Sequence, residues 1–231
     1  NNDYTGNDHQ ALFHDLRLIH ALGRRVVPLQ WVVDWVRGRR SDTEMQGAVA
    51  LSMDDGSHFD FHDMPHPSCG PQRGMLGILQ DFQAEVDGAQ PQLHLTSFVI
   101  ASPNARAELD QSCLVGKNWW GDEWWSAANT SGLMHVENHS WDHLHPTLEQ
   151  VAHSRQAKSD FSQVDNYRDA SAQIAQASQY IAQCSGRAPR LFAYPWGHTS
   201  DYLLSEYLPY AGGHGLDGAF TTEPRPVQRH D

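Results

Sequence analysis

Apolar residues recur along this chain in two alternating rhythms. Residues 10–22 carry Leu12, Leu16, Ile19 and Leu22 at helical spacing, and Arg25-Val26-Val27-Pro28-Leu29 follows as a short run of strand type. Trp31 to Val36 returns to a helical pattern, with Trp31 and Trp35 on its packing side, and Ala48–Met53 reads as a strand. A predicted helix over 75–86 precedes a predicted strand over 93–100. Leu133, Met134 and Val136 after Gly132 predict a strand ending near Asn138. A helix over 166–183 puts Ala170, Ile174, Ala177 and Ile181 on one face, with Gly186 placed to cap its end. Residues 191–194 then read as a strand, 201–208 as a helix and 218–222 as a last strand. Strands alternating with helices predict an α/β fold whose parallel sheet is covered on both faces, with sites at the carboxyl ends of strands. There is no internal repeat or low-complexity linker, so residues 1–231 are expected to form one domain.

Two polar clusters fall at such strand ends. Asp54-Asp55-Gly56 follows the run that closes at Met53, and Asn138-His139-Ser140-Trp141-Asp142-His143 follows the run through Val136. Adjacent side chains on a strand point to opposite faces, but at its end, with Gly56 free to turn the backbone, both carboxylates can converge on a cleft. His139 and His143 are four apart, which brings two imidazoles to one side of a helical turn. Two carboxylates and two imidazoles supply three metal ligands and one free base, the inventory of an open hydrolytic site; the set suits Zn²⁺ and tolerates other first-row ions. Taken singly, Asp-Asp-Gly is an ordinary turn and His-x-x-x-His an ordinary pair. Joint placement at two strand ends is what favours a site. His135, His139 and His143 would make a three-His face on an unbroken helix, but the strand reading turns His135 away. His145, before Pro146, is expected in a loop, His153 on a solvated helix face, and His58, His62 and His66 on the surface of a loop rimming the cleft.

The segments Ser52-Met53-Asp54-Asp55-Gly56 and His139-Ser140-Trp141-Asp142-His143 resemble the Thr-Phe-Asp-Asp-Gly and His-(Ser/Thr)-x-x-His motifs of the polysaccharide deacetylases, the NodB-homology group of carbohydrate esterase family 4. Thr96-Ser97-Phe98-Val99-Ile100 is similar to that family's Ala-Thr-Phe-Phe-Val strand. Phe192-Ala193-Tyr194-Pro195-Trp196-Gly197 is close to the Phe-Ala-Tyr-Pro-Tyr-Gly form of its third motif, found in relatives of the poly-N-acetylglucosamine deacetylases; residues 185–191 and Phe220-Thr221-Thr222-Glu223 follow the same group. The resemblance covers about residues 10–223 and implies a distorted (β/α) barrel with parallel strands and outer helices. It implies one divalent ion, Zn²⁺ by preference, held by Asp55, His139 and His143, with Asp54 as the base that activates water. It also implies the Trp196 backbone N–H at the oxyanion, Trp141, Tyr194 and Pro195 at the substrate, and a periplasmic or secreted location. The implied activity is removal of N-acetyl or O-acetyl groups from an oligo- or polysaccharide. The alternatives are a metal-dependent amidohydrolase acting on a non-sugar amide and a catalytically silent carbohydrate-binding protein. Two departures stand out. The motif arginine is Ala193, which leaves Asp54 without an assigned partner, and no Leu-x-His motif precedes Asp231, which leaves His198 and His214 as substitute acids.

Trp119, Trp120, Trp124 and Trp125 bracket Gly121-Asp122-Glu123 just before the second cluster. Sugars stack on indole rings, so this patch is a candidate platform, with Trp124 expected at the substrate; the competing role is packing. The formal net charge of −12 with only 16 Lys and Arg excludes a nucleic-acid partner. No apolar run reaches the roughly 18 residues of a membrane span. Cys69, Cys113 and Cys184 are odd in number and widely spaced, so they form neither a zinc finger nor a disulfide framework, although one pair could bridge. The chain begins at Asn1 without Met or an apolar leader, as a processed product would, and export stays open.

Overall fold

Six of the apolar runs pair side by side in the order in which they occur along the chain. The computed structural model describes residues 8–66, 70–114, 116–210 and 213–231. Its strands are β1 (Arg25–Val27), β2 (Ala48–Met53), β3 (Met64–His66), β4 (Gly70–Gln72), β5 (Leu95–Val99), β6 (Met134–Asn138), β7 (Leu191–Ala193) and β8 (Gly218–Phe220). Its helices are α1 (Asp8–Ala21), α2 (Leu29–Val36), α3 (Asp42–Met45), α4 (His58–Phe61), α5 (Met75–Glu85), α6 (Pro103–Cys113), α7 (Trp125–Thr130), α8 (167–185, with a π-type turn at Ser171–Ala175) and α9 (203–210). The sheet order is β1-β2-β5-β6-β7-β8, parallel at every pairing, and β3 and β4 form a separate antiparallel hairpin. Because each crossover adds its strand to the same edge, the sheet curls into a half-barrel with helices around it.

Strand alternation sorts the core into an outer and an inner layer. Leu95, Val99, Met134 and Val136 pack outward with Leu16, Ile78, Leu79, Phe82, Ala177 and Ile181 from the surrounding helices. Phe98, Leu191, Ala193, Ala50 and Phe220 gather instead with Leu29 and Val33 of α2. Each large apolar side chain so buried contributes about 1.5–3 kcal/mol. Helix α2 therefore covers the seam that β1 and β8 leave open. Gly218 makes that approach possible, since a Cβ there would lie 2.6 Å from Val33 Cγ2. Beside it Gln30 donates to Asp217 (3.4 Å) and Arg37 pairs with the same carboxylate (3.5 Å).

Several expectations change at this level. The run 25–29 is strand only to Val27, because Pro28 stands at the N-cap of α2 and Leu29 is already helical. Helix α6, which the apolar rhythm does not announce, starts at Pro103 with the Ser102 hydroxyl accepting from Ala105 N–H (3.2 Å). His153 is not on a solvated helix face: it is buried, its Nε2 3.0 Å from the Gln163 carbonyl and 3.4 Å from Asp169. Cys113 and Cys184 are free thiols, and Cys69 lies outside the described residues. Among the described residues no helix is long and apolar enough to cross a membrane.

Candidate active site

The carboxyl ends of β2, β5 and β6 are tied into one backbone platform. After β2 the chain turns through left-handed Asp55 (φ 73°) and Gly56 (φ 67°). The Asp55 carbonyl accepts from Ile100 N–H (3.3 Å) and from the Trp120 indole (3.1 Å). Gly56 lies so close to β5 that a Cβ would fall 2.4 Å from Val99 Cγ1. After β6, His139 N–H donates to the Val99 carbonyl (3.0 Å). Asn138 accepts from Ser140 N–H (2.7 Å) while its own amide donates to Ile174 O (3.0 Å) and Ser178 Oγ (2.9 Å) on α8. The Ser140 hydroxyl accepts from His143 N–H (2.9 Å), and buried Asp142 accepts from Leu144 N–H (3.0 Å) and Gln173 Nε2 (2.8 Å). Ser140, His143 and Leu144 are also left-handed, at φ 73°, 62° and 46°. Strained non-glycine residues concentrated in one place are characteristic of functional sites.

On this platform Asp55 Oδ1 lies 3.6 Å from His139 Nε2 and 3.7 Å from His143 Nε2, and one donor atom from each residue lies within 4.8 Å of the others. Donors around a tetrahedral ion with bonds near 2.0–2.1 Å sit about 3.4 Å apart, so little movement separates this trio from a coordination shell. His139 Nδ1 is 2.9 Å from the Ala193 carbonyl. A carbonyl can only accept, so Nδ1 carries the proton and Nε2 keeps its lone pair toward Asp55. Burial, then the neighbouring His139 and His145, pushes the His143 pKa down to about 2, so its imidazole is neutral. Its Nδ1 is buried with no hydrogen-bond partner among the described residues. One carboxylate and two imidazoles, one with its Nδ1 held by a carbonyl, fit a divalent ion. Asp54 is reached by solvent but sits in a concavity that strips much of its hydration. That burial raises its pKa; the Asp55 charge adds to the rise and His139 opposes it. A cavity of about 650 Å³ opens beside Asp54, Asp55 and Gly56, with Phe59, Met75 and Trp120 in its wall.

The other expected residues divide. Trp196, left-handed at φ 62° and 41% exposed, comes to the site: its ring lies 4.5 Å from that of His143 and stacks on His145 at 5.8 Å. Trp141 is half-buried, edge-on to Tyr180 (5.8 Å), and Pro195 is buried. Tyr194 is buried against Phe192 (5.1 Å), and Trp124 is buried against Phe61 (5.8 Å) with its indole donating to Gly121 O (3.1 Å). Both are core residues rather than substrate surface. Trp125 is likewise buried, beneath the Arg106 guanidinium (4.8 Å). What remains of the platform is half-buried Trp119 and Trp120, on a loop held by Asp110 through Asn118 and Trp119 N–H (2.9 and 2.8 Å) and by Arg106 through Trp120 O (2.9 Å) and Asp122 (2.6 Å).

His198 pairs with Asp160 (3.4 Å) and His214 is buried against Tyr207 (5.5 Å), so neither joins the trio. His135 is on β6, as the strand reading requires, and its ring packs on His94 at 4.4 Å. The supporting roles of Asn138, Trp120 and His145 were missed. Asn138 opens the second cluster and His145 follows it by two residues, and that adjacency was the available signal.

A curled parallel sheet that gathers an Asp-His-His trio at its carboxyl ends defines the class of α/β protein to which this chain is compared. A family profile described as polysaccharide deacetylase matches residues 89–211, more than half of the chain and inclusive of both histidines, and the chain belongs to that family. Among solved structures it is similar to a de-N-acetylase from Aggregatibacter actinomycetemcomitans (16% identity, TM-score 0.58, covering 92% of this chain and 77% of that one). It is also similar to IcaB from Ammonifex degensii (21%, TM-score 0.55, covering 84% and 68%) and to the Streptococcus pyogenes deacetylase PplD in complex with acetate (15%, TM-score 0.54, covering 85% and 66%). At these identities the likeness is one of fold. No match is found among curated proteins.

Proposed function

We propose that the chain is a metal-dependent deacetylase that removes N-acetyl, or O-acetyl, groups from an oligo- or polysaccharide. The observation that carries this reading is the convergence of Asp55, His139 and His143 from two strand ends, with Asp54 beside them, in a member of the polysaccharide deacetylase family. Asp55 and the two imidazoles would hold one divalent ion, Zn²⁺ by preference. When bound, such an ion polarises the acyl carbonyl and makes water more acidic. Asp54 takes the proton of the attacking water, and its raised pKa brings it closer to neutrality, where a base both accepts and returns a proton effectively. The water oxygen bonds to the acyl carbon, the C–N or C–O bond breaks, and the proton held by Asp54 is available to the leaving amine or alcohol. Trp196 is assigned the backbone N–H that stabilises the oxyanion. The accessible faces of Trp119, Trp120 and Trp196 offer stacking surfaces for sugar rings.

The test is acetate release from a panel of N- and O-acetylated glycans, with and without chelator. Release that chelator abolishes and Zn²⁺ restores is the expected result. Undiminished release in chelator refutes the metal role, and turnover of non-sugar acetamides alone transfers the activity to an amidohydrolase.

A further inference from the structure

A second set of nitrogen and oxygen donors meets at the rim of the cleft. His58 opens α4, and His62 follows one turn later with its N–H donating to the His58 carbonyl (2.7 Å). The two imidazoles therefore leave the same side of one α-turn, with ring centroids 5.3 Å apart. From the loop before α7, Glu123 Oε1 comes within 2.6 Å of His58 Nε2 and 4.0 Å of His62 Nε2. Two histidines at i and i+4 with a carboxylate from a separate segment are a zinc-type donor set. Room for it is built in: a Cβ on Gly121 would lie 2.0 Å from Glu123 Oε2 and 3.0 Å from His58 Nε2.

Two partners contest His58 Nε2. The Glu123 carboxylate stands 2.6 Å away and requires a donor, while Gly121 N–H points at the same nitrogen from 3.2 Å and requires an acceptor. One imidazole nitrogen serves as donor or acceptor, never both at once. A proton on Nε2 or a cation shared by the carboxylate and the Nε2 lone pair satisfies the carboxylate, with Glu123 Oε2, packed against Gly121, as the acceptor open to that N–H; only the cation also engages His62.

We propose that His58, His62 and Glu123 form a second divalent-metal site, of Zn²⁺ type, that clips α4 to the tryptophan loop. Donors around such an ion sit about 3.4 Å apart; Glu123 Oε1 stands 2.6 and 4.0 Å from the two imidazoles, whose rings at 5.3 Å must draw together to complete the set. The adjustment falls on His62 and Glu123, whose side chains are 42% and 59% exposed and free to turn. The two segments already touch through His58 N–H and Trp119 O (2.9 Å), and the next residue, Trp120, holds the Asp55 carbonyl (3.1 Å). An ion here steadies the loop that positions Asp55 without contacting Asp55, His139 or His143.

The experiment titrates the metal-stripped full chain with Zn²⁺ against a chromogenic competitor at micromolar free ion. The wild type is expected to bind two equivalents and His62→Ala/Glu123→Gln one; both altered side chains are exposed, so that variant keeps its fold. The reading rests on the difference between those two proteins: a difference of one equivalent supports the clip, and no difference overturns it. His139→Ala, titrated in parallel, reports on the catalytic trio independently, because it is expected to lose the other equivalent and leave the clip filled.

Discussion

Replacing Gly56 by alanine tests whether the turn after β2 and the end of β5 act as one unit. The new methyl would lie 2.4 Å from Val99 Cγ1 and 2.9 Å from Val99 Cβ, on a residue held at φ 67°. A non-glycine residue forced into the left-handed region costs about 1–2 kcal/mol, and overfilling a packed contact adds about 1–3 kcal/mol. Together these give a loss of about 2–5 kcal/mol. For a chain of this length each kcal/mol lowers the Tm by about 2–4 °C, so calorimetry should show a fall of roughly 4–20 °C. The same push should weaken Zn²⁺ binding, because Val99 carries the carbonyl that receives His139 N–H (3.0 Å). Val99→Ala removes the 2.4 Å contact but keeps Cβ at 2.9 Å, so in the double variant the clash is relieved in part while the backbone strain stays. A double-mutant cycle is therefore expected to return a favourable coupling of about 1 kcal/mol. Additive losses, or an unchanged Tm for Gly56→Ala, refute the reasoning.

The two adjacent aspartates should fail in different ways. Asp54→Asn is expected to keep Zn²⁺ but lower turnover by about 10²–10⁴-fold, whereas Asp55→Asn should lose the ion first; measured metal content and deacetylation rates that reverse this pattern exchange the two roles. Acid sensitivity should trace to the pair His94 and His135, whose pKa values are lowered from 6.5 to about 3 and about 4, chiefly by burial. The unfolded chain binds protons there that the folded chain refuses, so their contribution is complete above pH 6.5 and is lost as pH falls toward 4 and then 3. Urea melts of the wild type and of His94→Gln across that window should converge at low pH, and parallel curves would dismiss the pair as the cause.

Elements with a wide apolar stripe were legible in the sequence. Helix α8 was read from Ala170, Ile174, Ala177 and Ile181, which are all fully buried, and Gly186 caps it at φ 74°. Helix α6 was not, because Ala105 and Leu109 are its only buried apolar residues and buried Arg106 and Asp110 stand between and beside them. The Asp-His-His trio could be read because Asp55 and His139 stand within three residues of an apolar run and His143 follows His139 by four. The lock on His139 could not, since it comes from the backbone carbonyl of Ala193, which any residue would supply. Trp124 and Trp125 show the same limit from the other side: an indole that stacks on sugar and one that fills a core are the same letter. His153 was misplaced because its partner, Asp169, comes from a helix 16 residues further on, and local polarity says nothing of that contact.

The order of strands in the sheet has a consequence for how the protein comes into being. Since β1, β2, β5, β6, β7 and β8 are neighbours in space as they are in the chain, each strand leaving the ribosome finds its template already made, and the sheet can lengthen one edge at a time. The donors Asp55, His139 and His143 have all emerged by residue 143, yet the carbonyl that sets the His139 tautomer arrives with β7, and α2 meets Asp217 and Gly218 later still. A nascent chain that halts before β7 would hold all three residues of the trio but lack the carbonyl that fixes His139. The last contact that orients the trio is thus made by a strand that follows its own residues in the chain.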